Sequence, residues 1–353
     1  MRVFDYKKIR EIKCDNELVL LVSQIMEYNT RLEELVIKPD DDYSYLKTQS
    51  LVNSIQSSNK IEGIITTRSR LVKILNSNEN IKTKDDKEIA GYSYVLKNIN
   101  NSFKDIGLTS NIILQLHRDL YKFTKKNFGG RYKSIPNHIE EIKDGERKVR
   151  FTPLQPYEVK EAMEELCTEF IKELNSYEIH PLILIPIFIL DFLCIHPFND
   201  GNGRISRLLN SLLLYKNNFM ISQYISVDKQ IESNKTLYYE SLRLSSAGWH
   251  ENKNDYMPFI KFSLKMILGA YREFEYNIDY RNIKNKSSYK LVKEAAFNQI
   301  GSFDKKRMME VVPSLSRSSI EKALNKLEQE KVIIKKGVGR ATKYVLNGDE
   351  NRQ

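Results

Sequence analysis

The sequence predicts a mainly α-helical fold: a helical bundle with one β-hairpin, a helical extension before it and a small separate unit after it. Three observations predict this. Apolar residues recur at helical spacing along most of the chain. Strand-like runs are confined to the stretch around 139–151 and to the last β-rich residues before 346. No segment repeats at a period of roughly 20–50 residues, which excludes a solenoid or propeller. With 353 residues, and roughly 100–200 per domain, two or three domains are expected.

Each element follows in order. The opening MRVFDYKKIREIKC has scattered charge and no apolar h-region, so no secretory signal is expected. Residues 44–78 read as one or two helices, and 85–106 and 110–124 as two more. In the last of these Leu114, Leu116 and Leu120 share an apolar face, and His117 reads as a buried helical histidine rather than a catalyst. Between Gly129 and Pro156 the pattern changes. Turn signals stand at Gly129-Gly130 and Asp144-Gly145, and apolar runs at Ile139–Ile142 and Val149–Phe151 flank the second, which predicts a β-hairpin. Helices return at about 157–175, 181–195, 202–216, 230–246 and 255–275. The polar stretch 275–288 is either a linker or the tail of a helix. The expected division is a helical region at 1–104, a core at 105–275, a linker at 276–288 and a terminal domain at 289–346.

Composition narrows the function classes. Lys and Arg total 56 against 46 acids, a net charge of +10, which suits anionic partners such as nucleotide phosphates or nucleic acid, or else a Lys-rich solvated surface. Cys14, Cys167 and Cys194 are odd in number and widely spaced, which argues against a disulfide framework or a zinc site. The most apolar run, Leu182–Ile195, is shorter than the ~20 residues that span a bilayer and holds Pro186 and Asp191. It reads as a buried helix of a cytoplasmic protein without a membrane partner.

The chemistry concentrates in His196-Pro197-Phe198-Asn199-Asp200-Gly201-Asn202-Gly203-Arg204-Ile205-Ser206-Arg207. This loop follows an apolar helix and opens an amphipathic one. Gly201 and Gly203 permit a tight loop whose successive N–H groups form an anion nest at a helix N-terminus. Arg204 and Arg207, three apart, project from the first turn, and guanidinium forks suit phosphate oxygens. Asp200 is an acid placed where Mg²⁺ would bridge phosphates. His196 titrates near neutrality and suits proton abstraction from a hydroxyl. Neither a P-loop nor a strand-borne G-x-G-x-x-G is present.

This stretch resembles the signature of the Fic family, His-Pro-Phe-x-(Asp/Glu)-Gly-Asn-Gly-Arg-x-x-Arg, at every defined position, and the likeness in layout extends over about residues 45–270. The resemblance implies a Fic helical bundle with a hairpin flap and transfer of AMP from ATP to a Tyr, Thr or Ser hydroxyl. It implies His196 as the base, Asp200 as the Mg²⁺ ligand, and Asn202 with the Gly201 and Gly203 backbone as a phosphate cradle. Arg204 would grip the β-phosphate and Arg207 the γ-phosphate. The hairpin at about 132–151 resembles the flap on which a target protein lies as an added strand, or it is a plain structural hairpin. Tyr239 and Leu242 fall where the family lines its base pocket, although core packing accounts for them equally.

Residues 57–63, SSNKIEG, place Ser58 and Glu62 on one helical face before Gly63. They resemble the family's inhibitory motif, (Ser/Thr)-x-x-x-Glu-(Gly/Asn), which implies that Glu62 pairs with Arg207 and takes the γ-phosphate's place. The order of elements in 289–346 resembles a winged helix-turn-helix, with Ser316-Arg317-Ser318-Ser319 opening the recognition helix. Its last stretch carries Lys331, Lys335, Lys336, Arg340 and Lys343 without an acid, which suits DNA or else marks a protein-docking module. The readings that compete with AMP transfer are a DNA-binding regulator with a nucleotide-sensing core, and a relative that removes AMP or transfers another group. Self-modification and a homodimer complete the expected partners.

Overall fold

The structure, a computed structural model, describes residues 2–11, 15–37, 43–76, 81–125, 128–143, 146–282, 288–299, 301–313, 315–337, 339 and 342–347. Cys14, the Asp144-Gly145 turn and Arg340 lie outside these. The chain divides into two compact units, Met1–Met266 and Ile267–Gln353.

The first unit holds α1 (Asn16–Ile37), α2 (Ser44–Ile61), α3 (Arg68–Asn76), α4 (Lys84–Ser102) and α5 (Ser110–Leu120). After the hairpin β1 (Ile139–Lys143) and β2 (Glu146–Phe151) come α6 (Val159–Ser176), α7 (Pro181–Ile195), α8 (Asn202–Lys216), α9 (Val227–Ser233), α10 (Lys235–Ser246) and the start of α11 (Met257–Asn282). Local sequence sets the starts. Thr83 and Asp86 form a reciprocal capping box on α4, and Thr109 caps α5. His180 caps α7, with Pro181 at its first position, where a missing N–H costs nothing. The hairpin is antiparallel, pairing Ile139 with Phe151 and Lys143 with Glu146, with an irregularity after Ile139.

α7 is the centre of this unit. Every residue from Leu184 to Ile195 is buried. A helix that is apolar all round must be enclosed on all sides, and α6, α8 and α10 pack against it. Contacts also cross the expected boundary at 104: α4 packs on α5 and α8, and α2 packs on α9. The 230–246 helix is broken in two at Asn234, whose side-chain amide donates to the Gln230 carbonyl at 2.9 Å. No helix among the described residues is long and apolar enough to cross a membrane.

α11 corrects the expected linker. It runs on to Asn282, because Phe274 and Ile278 continue a buried stripe at i and i+4. Of the expected 276–288 linker, 276–282 is helical, Ser288 opens α12, and 283–287 lie outside the described residues. The second unit adds α12 (Ser288–Phe297), α13 (Lys305–Val311), α14 (Arg317–Gln329) and the antiparallel pair β3 (Ile333–Lys336) and β4 (Lys343–Leu346). Its own core joins Val292, Ala295, Met308, Ile320, Leu324, Ile333 and Tyr344. Ser316 caps α14 by accepting from the Ser319 N–H.

Candidate active site

α7 delivers His196 to the site. The helix ends there because His196 takes the left-handed conformation, φ 53° and ψ 60°, while its N–H still donates to the Phe192 carbonyl. Its Nδ1 lies 3.1 Å from the Leu193 carbonyl oxygen. A carbonyl only accepts, so Nδ1 carries the proton and Nε2 keeps its lone pair. The imidazole pKa is pushed from 6.5 down to about 4: burial dominates, and the Lys133 and Arg150 charges act in the same direction. His196 is therefore neutral at physiological pH, the form a base requires.

Lys133 was not singled out from the sequence. It is buried, its Nζ donates to Asn137 Oδ1 at 2.8 Å and to the Ile195 carbonyl at 3.3 Å, and its N–H donates to the Pro197 carbonyl at 2.8 Å. It thus caps the end of α7 beside the base, and burial lowers its pKa to about 8. No sequence signal separates it from the chain's many other lysines.

The loop is braced from two sides. The Asn202 side chain accepts from the Phe198 N–H at 2.9 Å and donates to the Phe198 carbonyl at 2.7 Å. The residue expected to cradle phosphate thus uses its amide to close the loop. His117, fully buried, stacks on Phe198 with ring centroids 3.7 Å apart and planes within 4°. Its Nδ1 accepts from the Gly130 N–H at 3.0 Å, so its Nε2 donates to the Asp200 carbonyl at 3.0 Å. The expected core histidine is therefore the strut between the base of the hairpin and the loop. Gly201 caps α8 at φ 88°.

The two arginines differ. Arg204 is 1% exposed; it donates to Glu88 at 2.7 Å, to the Tyr121 hydroxyl at 2.8 Å and to Asp200 at 3.3 Å. Here it anchors the loop. Arg207 donates through Nε to the Ser58 hydroxyl at 2.7 Å, and through Nη2 to the Ser58 carbonyl at 2.9 Å and Glu62 Oε1 at 2.7 Å. Its buried Nη1 has no hydrogen-bond partner. Burial is the largest influence and works against this charge, but the Glu62 carboxylate together with Tyr238, Tyr92 and Asp228 outweighs it and the Arg207 pKa is raised.

Glu62 owes its place to the residue after it. Gly63, at φ 85°, closes α2: its N–H donates to the Lys60 carbonyl and the Ile64 N–H to the Asn59 carbonyl. These are the two bonds of a Schellman end, which sets Glu62 as the capping residue. The carboxylate then lies directly on Gly203, where a Cβ would stand 2.1 Å from Glu62 Oε1. A carboxylate thus sits at the N-terminus of α8, where the dipole favours an anion.

Beside it opens a cavity of about 820 Å³, lined by Glu62, His196, Gly203, flap residues Ile139, Arg150 and Phe151, and α10 residues Tyr239 and Leu242. Asp200, Asn202, Arg204 and Arg207 do not line it. Among the described residues no cluster of three His, Cys, Asp or Glu side chains would hold a metal alone. The Asp200 carboxylate is 45% exposed, which fits a Mg²⁺ ion that draws its other ligands from phosphates and water.

Residues 107–214 match the Fic/DOC family. The chain is similar to Protein adenylyltransferase Fic of Drosophila melanogaster, 27% identical over 224 residues, which is 61% of this chain and 40% of that protein. To Protein adenylyltransferase fic-1 of Caenorhabditis elegans it is 25% identical over 173 residues, 47% of this chain and 30% of that one. The matches span less than half the length of these curated relatives. Among solved structures, a Fic family protein from Desulfovibrio desulfuricans G20 superposes with a TM-score of 0.61 at 22% identity, covering 96% of this chain and 98% of that one. Fic-1 from C. elegans gives 0.57 at 18% identity over 78% and 74%. These two likenesses are of fold.

Proposed function

From a chain that carries a Fic/DOC domain at residues 107–214, we propose a protein adenylyltransferase that uses ATP and is held back by its own α2. Two relatives named protein adenylyltransferase support this reading. The observation that carries it is the neutral His196, with Nδ1 engaged, in the same cavity as the α8 N-terminus that Glu62 blocks.

In this reading His196 Nε2 takes the proton of a Tyr, Thr or Ser hydroxyl on a target laid along the flap, or on the chain itself. The oxygen attacks the α-phosphorus of ATP, and the bond to pyrophosphate breaks. The Leu193 carbonyl stabilises the imidazolium as it forms. The N–H groups around Gly201–Gly203 and the α8 dipole receive phosphate oxygens, and Arg207 receives the γ-phosphate through its Nη1 once Glu62 has left. Mg²⁺, when bound, would neutralise phosphate charge, and Asp200 would hold it. Arg204 keeps Asp200 and the loop in place. Tyr239 and Leu242 wall the space for the base.

The test is labelled ATP with Mg²⁺. Glu62→Gly should incorporate AMP into itself or a target well above the parent. No label in either protein, or equal label after adding His196→Ala, would sink the proposal.

A second reading concerns the terminal unit. Its three helices and hairpin, with Lys331, Lys335 and Lys343 exposed, support a DNA-binding winged helix. Duplex binding that weakens steeply with salt would support it; no binding at low salt would leave the docking alternative.

A further inference from the structure

We propose that Glu232 and Lys235, at the corner between α9 and α10, are positioning residues that hold Glu62 over Gly203 and so tie the brake to the wall of the cavity. This rests on the reading of α2 as an inhibitory helix.

Glu62 has little of its own to hold it. Its side chain is 33% exposed, and its one described side-chain partner is Arg207 Nη2 at 2.7 Å. Its position depends on the last turn of α2. That turn is held by the corner through three bonds. Ser57 Oγ donates to Glu232 Oε2 at 3.2 Å, and Lys60 Nζ donates to Glu232 Oε1 at 2.5 Å. From the other side Lys235 Nζ donates at 2.9 Å to the carbonyl of Ile61, the residue directly before Glu62. A cation there also meets the negative end of the α2 dipole.

The corner is coupled to the cavity by the same ammonium. Lys235 Nζ lies 5.7 Å from the centroid of the Tyr239 ring, one helical turn along α10, and Tyr239 lines the cavity. A planar ligand on that ring would meet the cation that fastens the brake, so occupancy of the base side of the cavity would act on Glu62 from behind. The bonds are partly exposed, so each contributes modestly. The brake is therefore loosened by degrees through this corner, whereas loss of Glu62 removes it outright.

The experiment compares the full chain with Lys235→Met and Glu232→Gln, alone and with Glu62→Gly. Each single variant should raise AMP transfer about 3–10-fold, the range of one such hydrogen bond. Each should also speed amide exchange in the last turn of α2, a readout independent of activity. Neither should raise transfer further in the Glu62→Gly background. Unchanged exchange at residues 59–62 in both variants would overturn the proposal, as would full additivity with Glu62→Gly. If Glu62→Gly itself stays inactive, the brake reading fails, while the exchange rates still decide whether the corner holds the helix.

Discussion

The loop at 196–207 and the end of α2 meet at Arg207, yet they are held in opposite ways. The loop hangs from an apolar helix and is locked by closed bonds: the buried pair from Asn202 to Phe198 in both directions, and the part-buried bonds of His117 to Gly130 and Asp200. The face of α2 toward residues 222–232 is polar instead. Ser50 donates to the Ser222 carbonyl at 2.7 Å, Ser54 to the Ser226 hydroxyl at 2.8 Å and Ser57 to Glu232 at 3.2 Å. Small hydroxyl residues bury little apolar area, so such an interface contributes less per residue than a leucine face would. The difference suits the two tasks proposed for these regions. A phosphate site must keep its geometry, whereas a brake must leave.

Four measurements break or sharpen that contrast. The largest effect is expected from His196→Ala in the Glu62→Gly background, a loss of AMP transfer of about 10²–10⁴-fold, the usual worth of a positioned base. Retained transfer would mean that the loop is not the reacting centre. Next comes His117→Leu, which leaves the Gly130 N–H and the Asp200 carbonyl without their partner. A cost of about 2–4 kcal/mol is expected in the urea midpoint, together with lower transfer. A change under 0.5 kcal/mol, on the order of an unimportant surface site, would show that the loop stands without its strut. Ser54→Ala should cost only about 0.5–1.5 kcal/mol, and here the sign on activity reverses: transfer should rise, because the brake interface weakens. A fall would remove the contrast between the regions.

The smallest effect is a flat line. His196 must be neutral to act, and a lowered pKa preserves the neutral form to more acidic pH. With burial pressing it from 6.5 to about 4, kcat/KM of Glu62→Gly should vary by about 2-fold or less between pH 6 and 8. An acid limb near 6.5 would show that the imidazole is not shielded as the fold indicates.

Much of the site was legible because its parts are close in the chain. Twelve consecutive residues carry the histidine, the acid, the glycines and both arginines, and α8 begins at Asn202 as its spacing predicts. Gly63 was legible as a helix stop for a similar reason, since a glycine after a helix end is a local signal, whereas the pairing of Glu62 with Arg207 was expected from the family resemblance. What stayed hidden depends on distant residues. Nothing near Lys133 marks it as the cap of a helix 62 residues further on. That Asn202 and Arg204 also brace the loop is set by their partners, Phe198 in one case and Glu88 in the other.

The sequence by itself determined the helical class, the hairpin, the apolar α7 and the composition of the 196–207 loop, since periodicity and turn chemistry act over a few residues. Tertiary structure alone decided how far α11 runs, which nitrogen of His196 is free, and that a carboxylate from α2 lies 2.7 Å from Arg207, 145 positions away. Those outcomes depend on which buried groups find partners across the fold, and burial makes an unpartnered polar group too costly to leave to chance.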